Sequence, residues 1–524
     1  MRTGNNTNFY IKIGDDIMFN KKLLTSLIAL SISLSIFSFE GIKEASAAVT
    51  ASDSSYATQF SSLTLSKNYK DLNQGNPCMT QRFNADPGVM EYNGRVYVYT
   101  SHDQYIYDNK GVVQNNTYGN IQTVNCMSSD DLINWTDHGT INAAGSNGAA
   151  KWAANSWAPA AAHKTINGKE KFFLYFANSG GGIGVLTSDS PTGPWIDPLR
   201  HALITGATPN CSQVTWLFDP AVLIDDDGSA YLYFGGGVPS GQEAHPKTAR
   251  VVKLGNDLTS LAGTPITIDA PYLFEDSGIN KVGNTYYYSY CTNWAARSNQ
   301  SDPGIAVIAY MTSNSPTGPF TYQGTFLNNP GTFFGCTGNN HHTLTKFNNK
   351  WYVFYHAQWL ENKMGTNKGY RNTHVDGINI SNGKISQATG TLTGVPQIKN
   401  LDPYALNQMS TIAWQGGIKV LGSGNTTVEM NAGDWVGVSN AAFGTGAASI
   451  KMKAASKNGA VIKICVDDPS NAACGYISIP ATGSTSTFTN VSTNLSNLTG
   501  TKKLFFVASG DCVVDNWQFS KSLS

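Results

Sequence analysis

Five times along the chain, a strand that opens on a charged, aromatic or imidazole side chain is followed by a tight turn and a second strand rich in Tyr, Val and Phe. Asp86-Pro-Gly-Val-Met-Glu-Tyr leads through Asn93-Gly94 to Arg95-Val-Tyr-Val-Tyr. Trp157-Ala-Pro-Ala leads to Phe172-Phe-Leu-Tyr, Asp219-Pro-Ala-Val to Tyr231-Leu-Tyr-Phe, Glu275-Asp-Ser-Gly-Ile to Tyr286-Tyr-Tyr, and His341-His-Thr-Leu to Trp351-Tyr-Val-Phe-Tyr. The starts lie roughly 55 to 70 residues apart, room for a four-stranded antiparallel sheet with its loops, which is the size of a propeller blade. An outer hairpin recurs as well: Thr187-Ser-Asp-Ser-Pro-Thr-Gly-Pro-Trp195 is echoed by Thr312-Ser-Asn-Ser-Pro-Thr-Gly-Pro-Phe320, and more loosely by Ser128-Ser-Asp-Asp-Leu-Ile-Asn-Trp135. No long segment of helical period separates the strands, which argues against a parallel α/β fold. The expected class is all-β, a five-bladed β-propeller over residues 65–400.

In a propeller the first strand of each blade lines the axis, so the repeat starts converge on one funnel. Counting back 11 residues from a tyrosine of the second strand (Tyr97, Tyr286, Tyr352) selects Asp86, Glu275 and His341, and not His342, as equivalent positions. Three carboxylates (Asp86, Asp219, Glu275), Trp157 and His341 then meet where a structural core would be apolar. Paired carboxyls across a cleft are the requirement for glycoside cleavage: one protonates the departing oxygen and the other acts from the opposite side of the sugar. Burial beside like charges raises one of them and keeps it protonated near neutral pH. Repetition alone does not say which carboxyl takes which role. Asp225, Asp226 and Asp227 precede Gly228 between two strands and read as an exposed turn.

Phe83-Asn-Ala-Asp-Pro-Gly-Val, Trp216-Leu-Phe-Asp-Pro-Ala-Val and Leu273-Phe-Glu-Asp-Ser-Gly resemble the three signature stretches of glycoside hydrolase family 43 in order and spacing, over roughly residues 70–400. The resemblance implies an inverting enzyme with Asp86 as general base, Glu275 as general acid and Asp219 as the residue that modulates the acid. It implies an axial His341 in contact with a water-coordinated structural calcium ion, and no cofactor for the chemistry. It also implies that Trp216 and Trp294 shape the substrate cleft beside Trp157, and that Asn340 and Arg371 bond the sugar. The expected activity is exo-acting α-L-arabinofuranosidase on arabinoxylan. β-Xylosidase or endo-arabinanase on the same triad are the alternatives, and a noncatalytic polysaccharide-binding protein is the rival of another class.

The chain has 524 residues, with 35 Lys plus Arg against 35 Asp plus Glu. That balance leaves no global field to draw in nucleic acid or an anionic membrane, so a neutral partner fits, and the resemblance implies that it is plant cell-wall polysaccharide (arabinoxylan, arabinan or xylo-oligosaccharides). The apolar run Leu23 to Phe37, preceded by Lys21-Lys22 and followed by Ala45-Ser46-Ala47, reads as a signal peptide over residues 1–47, with Met18 as an alternative start. A secreted protein with no membrane attachment after cleavage is expected, acting as a monomer. Eight cysteines in an exported chain can pair; Cys465 with Cys474, flanking a turn, is the best local candidate, and buried thiols are the alternative. From residue 404 the composition shifts to Thr, Ser, Asn, Ala and Gly in short alternating strands. Gly433-Asp-Trp-Val-Gly-Val, Phe443-Gly-Thr-Gly-Ala-Ala and Ile479-Pro-Ala-Thr-Gly resemble family 6 carbohydrate-binding modules, which implies a β-sandwich (jelly roll) over 404–524. This copy has Ser484 and Thr485 where the family offers a stacking Trp, and Leu406-Asn-Gln-Met in place of an acidic calcium site. Trp435 and Trp517 are expected in its core.

Overall fold

Asn-Gly and Asn-Asn pairs set the geometry of the innermost hairpins. Asn93 and Gly94, Asn167 and Gly168, and Asn348 and Asn349 all take positive φ, the tight turn whose twist matches that of the flanking strands. The structure, a computed structural model, describes residues 54–521; the expected signal segment and Met18 lie outside the described residues.

Blade one comprises β1 (Ala85–Tyr92), β2 (Arg95–Ser101), β3 (Thr123–Ser129) and β4 (Trp135–Asn142). Blade two is built from β5 (Trp157–Ile166), β6 (Lys169–Ala177) and β7 (Ile183–Ser188), and blade three from β8 (Ala221–Ile224), β9 (Ala230–Phe234), β10 (Ala249–Lys253) and β11 (Ile266–Ile268). Blade four holds β12 (Leu273–Val282), β13 (Thr285–Thr292), β14 (Ile308–Ser313) and β15 (Thr321–Leu327), and blade five β16 (His342–Phe347), β17 (Lys350–Ala357) and β18 (Asn372–Ile378). Each first strand contacts the first strand of the next blade, and β16 closes back on β1. The seal is made by the stretch before β1, where Cys78 and Asn84 donate backbone hydrogen bonds to the carbonyls of Thr373 and Arg371, each at 2.9 Å. The five repeats are thus the five-bladed propeller read from the sequence.

Tyr, Phe and Val alternate along the inner strands, so both faces of each blade are apolar and pack against a neighbour. Phe173, Tyr175, Leu232 and Phe234 fill the space between blades two and three, and Tyr233, Val251, Tyr288 and Tyr290 that between three and four. Asp225-Asp226-Asp227 forms the expected turn, with one difference. The Asp225 side chain is buried, paired to Lys281 and accepting a 2.5 Å bond from the Tyr286 hydroxyl, and it ties blade three to blade four.

The C-terminal residues form a β-sandwich around Ile450, Met452, Ile464, Leu504, Phe506 and Trp517. Trp435 and Trp517 are buried, as their surroundings in the sequence implied. The two halves share a sheet. β4 is extended by Thr411–Ile412, through Thr411 opposite Thr136, and by Lys419–Ser423, through Ser423 opposite Gly139. The strap of residues 60–72 packs Phe60, Leu63, Leu65 and Leu72 against Trp414, Trp435 and Phe505. All eight cysteines are free, which corrects the expected Cys465–Cys474 bridge. Cys465 packs with Trp414 and Trp435, whereas Cys474 packs against the opposite core, because Cys465 pairs with Ala473 and Cys474, the next residue along the strand, points to the other face.

Candidate active site

Four of the five blade starts carry a residue of positive φ, and three of them are bulged. Asp86, Ala158, Asp219 and Asp276 have φ of 51°, 40°, 49° and 69°, and the pairing register shifts at this point in β1, β5 and β12. A bulge re-aims one side chain and strengthens the local twist. Here it turns a carboxylate inward, in the left-handed conformation that Asp tolerates better than most residues. Close approach of the strands enforces the glycine two residues on: a Cβ on Gly88 would stand 2.0 Å from the Pro159 carbonyl oxygen.

This geometry corrects the equivalence inferred from the tyrosine count. The residue equivalent to Asp86 and Asp219 is Asp276, with Glu275 and Trp157 one position earlier in their strands. The count failed because Tyr286, Tyr287 and Tyr288 are consecutive, and Met90 opposite Tyr97 corresponds to Asn280 opposite Tyr287. Reading Asp-Pro-Gly, Asp-Pro-Ala and Asp-Ser-Gly as one motif would have found it. β16 has no bulge, and His341 faces the centre as expected.

Asp86, Asp219, Glu275 and His341 come together, buried in one place. His341 Nδ1 lies 3.6 Å from Asp86 Oδ1 and 3.8 Å from Asp219 Oδ2, and its Nε2 lies 3.1 Å from Asp276 Oδ1. Asp276 donates its backbone N–H to Asp219 Oδ2 at 2.9 Å. Its own carboxylate is bonded by the His342 ring, whose far nitrogen meets Ser289 Oγ at 2.8 Å.

The two outer carboxyls sit in opposite surroundings. Burial pushes Asp86 up, but the Arg371 guanidinium, with His356 and His341 beside it, outweighs burial and holds the carboxyl well below the usual range. Arg371 Nη1 donates to Asp86 Oδ1 at 2.8 Å, and His356 Nδ1 accepts the Asp86 backbone N–H at 3.1 Å. Burial raises Glu275, and the charges of Asp219, Asp86 and Asp276 raise it further, well above the usual range. No hydrogen bond within the protein reaches its Oε1. Asp219 is raised by burial and by Asp86. Asp86 is thus held ionised while Glu275, like Asp219 and Asp276 around it, is pushed toward keeping a proton, and a base opposite an acid is the division that cleavage of a glycosidic bond needs.

Arg371 is 3% exposed, not the surface arginine its sequence context allowed. Its backbone N–H and Nε donate to Asp103 Oδ2 and its Nη2 to Asp103 Oδ1, at 3.0, 2.9 and 2.8 Å, and its guanidinium lies 4.6 Å from the centre of the Tyr118 ring. Asp276 and His342 lie in the repeat starts, each one position after the residue selected there, whereas Asp103, Tyr118 and His356 were missed because they lie outside the starts, where no periodicity marks them. Asn340 is 0% exposed, with its amide donated to the carbonyls of Ala306 and Asn328 and its Oδ1 without a partner among the described residues. Its neighbour Asn339 is half-buried and leaves Oδ1 without a partner.

Trp216 and Trp294 are 37% and 46% exposed, large apolar side chains left open to solvent. Trp216 packs edge-on to Phe218 and Phe274, each at 5.4 Å, next to Glu275 in the chain. Trp294 follows the end of β13, where Cys291 pairs with Glu275. Trp157 is half-buried and donates its indole N–H to the Tyr118 carbonyl at 3.0 Å. Among the described residues no group of three or more His, Cys, Asp or Glu side chains is placed to hold a metal ion. Behind the carboxylates a channel of about 190 Å³ runs between the first strands, and His341 is the one titratable side chain lining it.

A five-bladed propeller with an ionised and a protonated carboxyl in its funnel is the architecture of a glycoside hydrolase. Residues 75–385 match the model of Glycosyl hydrolases family 43, and the chain belongs to that family. Residues 408–521 match Carbohydrate binding module (family 6). The chain is 47% identical to an arabinoxylan arabinofuranohydrolase of Bacillus subtilis (strain 168), over 86% of its own length and 93% of the relative's. It is also 47% identical to an arabinoxylan arabinofuranohydrolase of Paenibacillus polymyxa, over 85% and 74%. The crystal structure of a family 43 arabinoxylan arabinofuranohydrolase from Bacillus subtilis in complex with cellotetraose superposes with a TM-score of 0.85, covering 88% of this chain and all of that one.

Proposed function

We propose that this protein is an inverting, exo-acting α-L-arabinofuranosidase that removes arabinose from arabinoxylan. The observation that carries the reading is the opposed protonation of Asp86 and Glu275 within one funnel, in a chain 47% identical to arabinoxylan arabinofuranohydrolases. Asp86, ionised against Arg371, takes the proton of the attacking water. Glu275 gives its proton to the departing xylan oxygen, and Asp219, held by the Asp276 backbone N–H, is the neighbouring carboxyl that opposes ionisation of Glu275. Water attacks from the face opposite the leaving group, so the configuration inverts. Trp216 and Trp294 supply rings for the sugar backbone to stack on. Trp157 borders the same funnel, and Arg371 offers the Nη1 edge that already holds Asp86.

The protein acts as an exported monomer; a polymeric, neutral substrate and the N-terminal apolar run support that reading. Glycoside hydrolysis takes no cofactor. The channel fits a water-wrapped calcium ion in contact with His341, since it has space and presents a single imidazole, and hard cations take oxygen ligands. Such an ion would brace the channel floor and hold His341 in place.

The test is product analysis on arabinoxylan, xylo-oligosaccharides and linear arabinan, with the anomer followed by proton NMR. Arabinose released from arabinoxylan as the inverted anomer is expected, and Glu275→Gln should abolish it. Xylose as the main product, or full activity in Glu275→Gln, would overturn the assignment.

A further inference from the structure

A second cleft lies on the outer edge of blades one and two, where the sandwich meets the propeller. Its volume is about 710 Å³, and no charged residue lines it. The clefts beside it at the rim of blade one are lined by Arg95, Asp130 and Lys399. Three segments distant in sequence build it: the end of β4 with the loop after it, the Ser190–Trp195 turn of blade two, and the Ser423-Gly424-Asn425 turn of the sandwich. The blade-two turn is the outer hairpin that recurs in blade four with Phe320 in place of Trp195.

The exposed amides of Asn142, Asn147 and Asn425, one or two from each domain, face this space and make no hydrogen bond to other described residues. Each amide offers donors beside an acceptor, which suits paired hydroxyls, and no charged side chain is present in the lining to favour an anion or a metal ion over them. Thr192 and Ser423 add hydroxyls. Trp195, 9% exposed, contributes a ring edge, and its indole N–H has no partner in the protein. Cross-strand pairing fixes the position relative to the funnel: Ala85 lies opposite Ser101, Ser101 opposite Val124, and Val124 opposite Ile141. Three strand spacings put the cleft about 15 Å from Asp86, at the same end of the propeller.

We infer that this interdomain cleft is a second saccharide site, which holds the neutral backbone of the polymer a few sugar units away from the arabinose in the funnel. The inference rests on the arabinoxylan reading and deepens it. Binding at the junction adds affinity for long chains and none for small glycosides, because the second contact becomes intramolecular once the first has formed.

The test uses the full chain with Asn142→Ala, Asn147→Ala and Asn425→Ala combined. These exposed side chains make no hydrogen bond to other described residues, so the fold has no reason to change. For polymeric arabinoxylan KM should rise about three- to tenfold, the loss of a few net hydrogen bonds, while kcat/KM for an aryl α-L-arabinofuranoside stays unchanged. A parallel arm measures retention on insoluble arabinoxylan in the Glu275→Gln background, without turnover. Weaker retention of the triple variant supports the cleft. Unaltered retention, or equal losses on polymer and aryl glycoside, overturns it. Failure of the wild type to release arabinose would count against the catalytic reading and leave the retention arm to decide the cleft.

Discussion

Asp86 and Glu275 share a funnel, a degree of burial and a place at the start of a blade, yet their surroundings are opposite. Asp86 meets a guanidinium and two imidazoles; Glu275 feels the same guanidinium, but burial and three carboxylates outweigh it, and one of its oxygens has no partner among the described residues. Burial acts on both in the same direction, so the difference comes from the neighbours. One arginine, fixed on its far side by Asp103, suffices to separate a base from an acid.

The sharpest way to break this comparison uses the leaving group. Asp86→Asn should lower kcat by about 10³-fold or more on arabinoxylan and on aryl arabinofuranosides alike, because the water must be deprotonated in both. Glu275→Gln should lose as much on arabinoxylan, but far less on an aryl glycoside whose departing phenolate needs no proton. Initial rates on the two substrates check it, and equal losses in Glu275→Gln would remove its assignment as the acid.

Arg371→Met should come next, with about a 10²-fold fall in kcat/KM as the base loses its position. Without the cation Asp86 rises toward the carboxylate range, so the acidic limb of the pH profile should move to higher pH. The wild-type Asp86 carboxyl, held low, stabilises the fold at all pH values above its ordinary range and loses that contribution only as pH falls through the depressed value. The variant leaves Asp103 and Asp86 buried without a cation and should lose about 3–5 kcal/mol of stability in denaturant titration. An unmoved acidic limb would show that Arg371 does not set the base.

Trp216→Ala probes the apolar wall beside the acid. KM on arabinoxylan should rise about tenfold with kcat nearly unchanged, since the lost stacking is worth about 1–2 kcal/mol in ground and transition state alike. A fall in kcat alone would place the ring against the reacting centre.

The smallest effect is on stability. Glu275 holds its proton more tightly folded than unfolded, so its contribution is complete below the ordinary carboxylate range and is lost as pH rises through the raised value. Glu275→Gln does not titrate, and its Tm should exceed that of wild type by about 1–3 °C at pH 8, with the gap closing toward pH 5. Calorimetry at the two pH values is the measurement; a gap independent of pH would mean that charge at this position is not the cause.

The repeat at Asp86, Trp157, Asp219, Glu275 and His341 is legible because period-two strands and Asn-Gly turns are local, and each copy must solve the same packing problem. The one-residue slip at Glu275 and Trp157 was not, because a bulge adds a residue without changing composition. Arg371 was reached through the resemblance to glycoside hydrolase family 43. Its partner Asp103 was not, since a lone Asp in a loop looks like any turn residue until the fifth blade closes against the first. The choice between a Cys465–Cys474 bridge and free thiols stays open in the sequence for a related reason: sequence distance says nothing of which face of a strand a side chain takes once the register is set.

By itself the sequence determined the number of blades, the strand-rich class, the second domain and the identity of the carboxyls that meet, because these follow from periodicity and from like residues at like positions. Only the tertiary structure decided which carboxyl is held ionised and which protonated, and that β4 runs on into the sandwich to make a cleft from two domains. Those properties depend on distances of a few ångströms between side chains contributed by different blades, and on the low dielectric of the site they enclose, neither of which a linear pattern contains.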